Sequence, residues 1–216
     1  MDQDGWDIRV YEAGDGGIPV QEFLDALPVK KAQKVLRDID VLETYGLRWG
    51  MPHVRSLPGG MYELRTEHGS DIFRTFFFHW KHTVLVLTMG IRKSRKRWIR
   101  RNLNGHNVIG RTGYKDTEGR KMSFVRDYVR HRAQADPAFQ QVWEDGTLER
   151  EIAKQLIGIR LELGMTQAQF AERVGVKQSF LSRLENGEQN LTMETLQRLA
   201  QRAGVTVHVR LALLHD

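Results

Sequence analysis

The stretch TQAQFAERVGVKQSFLSRLENG, residues 166–187, constrains the fold more tightly than any other part of the chain. Thr166 followed three residues later by Gln169 makes a capping box, in which each residue satisfies an amide the new helix leaves unpaired. Phe170, Ala171 and Val174 give that helix an apolar face. Gly175 supplies the left-handed turn that a Cβ disfavours. Lys177, Gln178 and Ser179 then open a second helix, anchored inward by Leu181 and Leu184 and stopped at Asn186-Gly187.

Two short helices joined by such a turn form a helix–turn–helix, whose second helix enters a DNA major groove with its first side chains on base edges. The segment resembles the Cro/phage-repressor (XRE) class over about residues 148–204. That resemblance implies that Gln167 and Asn186 hold phosphates and that Lys177, Gln178, Ser179, Ser182 and Arg183 form the reading surface. Gln suits adenine N6/N7 and Arg suits guanine O6/N7. Arg160 and Glu185 match a structural ion pair of that class and are expected to serve the fold. One recognition helix spans few base pairs, so a two-fold homodimer on operator DNA is the expected binding form.

Elsewhere the pattern changes. WDIRVYE (6–12) alternates as a strand does. IPVQEFLDAL has helical spacing with Pro19 in its first turn, and a second helix after Pro28 carries Ala32, Val35, Leu36, Ile39 and Leu42 as one stripe ending at Gly46. Residues 61–67, 72–80 and 83–90 read as three strands of an antiparallel meander. The order βααβββ is an α+β layer of two helices on one sheet. Residues 101–121 are rich in Gly and Asn and read as a basic linker. Two short helices split before Pro137, four helices closed by Gly164, Gly175, Gly187 and Gly204, and an alternating terminal strand at 205–214 follow. The chain therefore divides into a domain at 1–100, the linker, and a domain at 122–216 with the all-α helix–turn–helix core inside it.

Charge is concentrated in one place. The net charge is +6, yet residues 91–121 hold 11 basic and 2 acidic groups, while 1–90 hold 10 and 13 and 122–216 hold 12 and 12. IRKSRKRWIRR (91–101) is the core of that basic segment, and such a run points to a polyanionic partner. The absence of cysteine removes disulfides and thiolate chemistry and fits a reducing cytoplasmic interior. No apolar run approaches the ~20 residues that span a bilayer, and no signal layout opens the chain, so no membrane partner is expected.

Arg65, Arg74 and Lys93 lie on successive strands or their ends. Convergent cations without a Cys, a His pair or a carboxylate dyad suit phosphodiester chemistry, in which fixed donors neutralise a pentacoordinate phosphorane. No metal or other cofactor is implied. Across residues 6–96 the runs IPVQEFLDALP, LPGGMYELR, FRTFFF and VLVLTMGIRK are similar to the RelE/HigB toxin superfamily, in particular its phage Gp49-like branch. That family is a βααβββ ribonuclease fold that cuts mRNA on the translating ribosome. The resemblance implies that Arg65, Arg74, and Arg92 or Lys93 bind the scissile phosphate, with Glu63 a proton acceptor. Arg95, Lys96 and Trp98 would form an RNA-facing tail that grips phosphates and stacks a base. His68, in a turn, is a further acid–base candidate.

From Met122 the chain also resembles a HigA-type antitoxin. The joint expectation is a toxin–antitoxin fusion that is neutralised by an intramolecular or domain-swapped contact and represses its own operon. Helices in 123–145 or the strand at 205–214 would cover the basic face. Two alternatives stay open: a transcriptional regulator whose first domain is a catalytically dead RelE-like interaction or dimerisation module, and an interaction protein with neither activity.

Overall fold

The computed structural model describes residues 5–81, 84–92 and 123–210, and the chain forms two compact units, Met1–Asp145 and Gly146–Asp216. The first contains β1 (Asp7–Val10), α1 (Pro19–Asp25), α2 (Val29–Tyr45), β2 (Val54–Leu57), β3 (Met61–His68), β4 (Asp71–His79), β5 (Val84–Arg92), α3 (Phe124–Ala135) and α4 (Pro137–Asp145). The strands form one sheet in the order β1-β5-β4-β3-β2. β1 runs parallel to β5, and the other pairs are antiparallel.

This differs from the expected βααβββ order by one strand. Residues 54–57, VRSL, are too short and too polar to announce a strand, and β2 exists because the turn at Pro58–Gly60 folds it onto β3. Close approach also fixes the helix layer. Gly90 of β5 lies under α1, where a Cβ would overlap the Phe23 ring. Phe23 in turn packs on Phe73 of β4 at 6.3 Å between ring centroids.

The sequence shows one apolar stripe on α2, yet the helix is buried on more than that side, with Gln33, Lys34, Arg37 and Asp38 inside as well as Val35, Leu36, Ile39 and Leu42. Its other cover is the α3–α4 pair. Gln33 Nε2 donates to the Phe139 carbonyl at 3.0 Å. Asp38 accepts from Lys34 Nζ at 3.2 Å and Arg37 Nη1 at 3.0 Å. Burial opposes its charge, but those two cations hold its carboxyl below the ordinary carboxylate range.

α3 and α4 are fastened to the first unit by specific bonds. Ser123 caps α3 and donates to Glu43 Oε2 at 2.8 Å. The Tyr128 hydroxyl donates to Asp25 Oδ1 at 2.6 Å. Arg132 reaches the end of α1, donating to the carbonyls of Leu24 at 2.8 Å and Leu27 at 3.4 Å, where a cation meets the negative end of the helix. Its guanidinium also stands 5.1 Å from the centre of the buried Phe139 ring. The division of the chain thus falls after Asp145 rather than near 122. Nor do these helices cover the strand face carrying Arg65, as expected above: they bind on the helix side.

The second unit contains α5 (Thr147–Glu162), α6 (Gln167–Val174), α7 (Gln178–Glu185) and α8 (Met193–Ala203). The Thr166–Gln169 capping box forms. Leu156, Phe170, Ala171, Val174, Leu181, Leu184, Leu199 and Ala203 make its core. The terminal strand does not appear over 205–210; alternation needs a neighbouring ladder to become a strand, and none pairs with it among the described residues. The remainder of that expected strand, 211–214, lies outside the described residues.

Gly175 has φ +68°, and Arg202 Nη1 donates to the Val174 carbonyl at 3.1 Å across the space a Cβ would fill. Gly175→Ala is therefore expected to destabilise the second unit by about 1–3 kcal/mol, from the left-handed backbone and the displaced Arg202. Urea unfolding of the full chain measures it.

Candidate nucleic-acid interfaces

Register decides which side chains share a face of the sheet, because directly paired residues point the same way. Arg65 of β3 pairs with Arg74 of β4, and Arg74 pairs with Ile91 of β5. The next row joins Arg55 of β2, Glu63 of β3, Phe76 of β4 and Met89 of β5. Beyond it, Leu57, Met61, Phe78 and Val86 belong to an apolar cluster. Leu64, Thr66 and Phe73 point to the other side, toward α1 and α2. Arg65, Arg74 and Glu63 therefore come together on the face away from the helices.

The two guanidinium groups have carboxylate partners. Arg74 Nε lies 2.8 Å from Glu63 Oε1, with only 17% and 7% of these side chains exposed. Arg65 Nη2 lies 2.6 Å from Glu67 Oε1 on the open rim. Arg74 Nη1 and Arg65 Nε are buried and make no hydrogen bond among the described residues. A face with two adjacent cations and donors still to satisfy is suited to a phosphate oxygen.

Arg92 does not join them. It pairs with Phe73 and so belongs to the helix side. There its Nε and Nη2 contact Asp71 Oδ1 at 2.9 and 2.6 Å, while Lys31 of α2 holds Asp71 Oδ2 at 2.7 Å. His68 pairs with Asp71 and also falls on that side. Lys93, Arg95, Lys96, Trp98 and the linker lie outside the described residues. Arg55, by contrast, is an exposed member of the arginine face that the sequence did not disclose. Recognising VRSL as a strand would have found it.

In the second unit, Lys177 stands at the N-cap of α7, and Gln178, Ser179 and Arg183 are exposed with Ser182 half-buried between them. Leu181 and Leu184 hold the opposite side in the core. Arg160 grips Glu185 with Nε to Oε1 at 2.7 Å and Nη2 to Oε2 at 3.1 Å, the structural pair expected from the sequence. Gln167 Nε2 donates to the same Glu185 at 2.9 Å, so its amide is oriented by the ion pair. Asn186 is half-buried at the end of α7. Among the described residues no group of three or more His, Asp or Glu side chains is placed to hold a metal ion, and no helix is long and apolar enough to cross a membrane.

Residues 22–105 match the family described as Phage derived protein Gp49-like (DUF891), and residues 157–209 match the helix-turn-helix family. The chain is 39% identical over 69 residues to an uncharacterized HTH-type transcriptional regulator, y4dJ, of Sinorhizobium fredii, covering 32% of this chain and 88% of that protein. It is 32% identical over 74 residues to antitoxin HigA1 of Mycobacterium tuberculosis, covering 34% of this chain and spanning half the length of that protein. Among solved structures, a mutant of the restriction-modification controller protein C.Esp1396I is 30% identical, covering 28% of this chain and 76% of that one at a TM-score of 0.27. Through its C-terminal unit the chain belongs to the HTH-type transcriptional regulators.

Asp71 gives the first unit an acid limit. The hydrogen bond from Lys31, reinforced by Arg92, holds its carboxyl below the ordinary value. A lowered folded value means that its contribution is full above about pH 4 and is lost as pH falls through the folded value. Asp71→Asn is expected to flatten the acid side of a stability–pH curve for the full chain, while leaving stability changes above pH 6 independent of pH.

Proposed function

We propose that the chain is a toxin–antitoxin fusion: an mRNA-cleaving, RelE/HigB-like first unit joined to a sequence-specific DNA-binding antitoxin that represses its own operon. The observation that carries the ribonuclease half is the Arg65–Arg74 pair beside Glu63 on one strand face. An RNA strand laid there would place a phosphate against both guanidinium groups. The 2′-oxygen would form the new bond to phosphorus as the bond to the 5′-oxygen breaks, and the departing 5′-oxygen would take up a proton from water. Arg65 and Arg74 would stabilise the added negative charge, and Glu63 would accept the hydroxyl proton. mRNA on the ribosome is then the substrate, and no cofactor takes part.

The DNA-binding half rests on the exposed row of α7. Lys177, Gln178, Ser179, Ser182 and Arg183 would read base edges, while Gln167 and Asn186 hold phosphates. The likeness to an HTH-type transcriptional regulator and to antitoxin HigA1 supports operator DNA as the partner, and the few base pairs that one recognition helix spans favour a homodimer as the binding form. α3 and α4 tie the antitoxin portion to the helix layer of the toxin portion, within one chain or exchanged between two.

A second reading has its own support. Arg92 is engaged by Asp71, and Glu63 is already taken by Arg74, which removes two expected catalytic groups from ready use. A first unit that binds RNA or a partner without turnover would leave a transcriptional regulator.

Ribosome-dependent mRNA cleavage distinguishes the two. The fusion reading expects cleavage by the full chain or by chain cut in the linker, with Arg74→Ala lowering the rate by roughly 100-fold or more. Cleavage that is absent, or indifferent to Arg74, leaves the regulator. In an electrophoretic shift with the DNA upstream of its own coding sequence, Gln178→Ala and Arg183→Ala are each expected to weaken binding by about 1–3 kcal/mol. Unchanged binding removes α7 as the reading helix.

A further inference from the structure

The geometry points to Arg55 as a further RNA-phosphate-binding residue, which extends the arginine face across the sheet to its edge strand. The inference rests on the reading that this face binds RNA. Arg55 stands directly opposite Glu63, and Leu57, two residues on in the same strand, joins the apolar cluster of the same face. Its strand neighbour Val54 pairs with Leu64 and is buried on the helix side, so the parity of β2 is fixed at both ends.

Three features separate Arg55 from an ordinary surface arginine. It lies diagonally from Arg65 across β2 and β3, a relation that sets the two about 7–8 Å apart and within reach of long side chains. The carboxylate opposite it, Glu63, is occupied by Arg74 and does not neutralise it. Arg55 itself is exposed and makes no hydrogen bond or ion pair among the described residues, whereas Arg65 and Arg74 each have a carboxylate. Arg55, Arg65 and Arg74 thus surround one carboxylate, with a free cation on the outermost strand.

A single strand of RNA carries one phosphate per nucleotide, so a chain whose scissile phosphate lies between Arg65 and Arg74 has a neighbouring phosphate to place. Strands are spaced about 4.8 Å apart, and Arg55 lies two strands from Arg74 and one row along. Arg55 is positioned to hold that neighbour. The RNA backbone then crosses β4, β3 and β2 rather than running along them. Such a contact positions the substrate and carries no sequence information.

The test measures binding of the full chain to a fluorescent single-stranded RNA, made with 2′-O-methyl ribose so that no 2′-hydroxyl can attack and it stays intact, over a range of salt. Arg55→Ala is expected to reduce the slope of log affinity against log salt by about 0.7, one phosphate contact on a single strand. Arg55→Lys should retain the slope, and Arg55→Glu should bind more weakly than Arg55→Ala. A role confined to guarding the sheet edge predicts Arg55→Glu equal to the unaltered chain, because either charge protects an edge. Duplex DNA binding and thermal unfolding, unchanged in all three variants, show that each folds. If Arg65→Ala and Arg74→Ala weaken RNA binding while the Arg55 variants match the unaltered chain, Arg55 is not a contact and the reading of the face survives. If no variant at any of the three positions alters RNA binding, or no RNA binds, the reading of the face fails and Arg55 falls with it.

Discussion

Two guanidinium groups set opposite each other on paired strands repel, and like charges in that relation are destabilising. Arg65 and Arg74 are held in this relation by the register of β3 and β4, and the protein offsets it with Glu67 on one and Glu63 on the other. The compensation is uneven. Glu63 is nearly buried and close to Arg74, whereas Glu67 is more than half exposed, so its hold on Arg65 is screened by water. An anion arriving between the two arginines would relieve the repulsion and satisfy the buried Nη1 of Arg74.

The rest of the first unit fixes that register. α1 lies close over β5 because Gly90 leaves room for Phe23, and Phe23 seats on Phe73, the residue before Arg74. α2 is clamped between the sheet and the α3–α4 pair, which explains why a helix with four charged or amide side chains can be buried so completely. Arg132 closes the end of α1 from α3. The arginine face is thus backed by a layered core to which residues from both sides of the 93–122 segment contribute. Asp71, joined to Lys31 and Arg92, pins the far end of the β3–β4 hairpin to α2.

Local signals were legible in the sequence, and non-local ones were not. The capping box, Gly175 and the inward Leu181 and Leu184 act within a few residues of one another, so the helix–turn–helix can be read directly from residues 166–187. The place of Arg92 depends on a register shift between Phe76 and Phe77, which changes the relation of β4 to β5 and cannot be deduced from β5 alone. β2 is a strand only through its pairing, and Arg55 went unnoticed with it. The second buried side of α2 requires helices about 100 residues away, so its single apolar stripe understated its burial. The alternation over 205–210 is real, but alternation describes a surface that pairs well and does not supply the pairing.

The most direct measurement follows the side-chain Nε–Hε resonances of the arginines by NMR as a short, uncleavable RNA is added to the full chain. The account predicts saturating shifts at Arg65 and Arg74, with the Arg92 resonance held in place by Asp71. Shifts confined to Arg92 or to arginines of the second unit, with Arg65 and Arg74 silent, would contradict it.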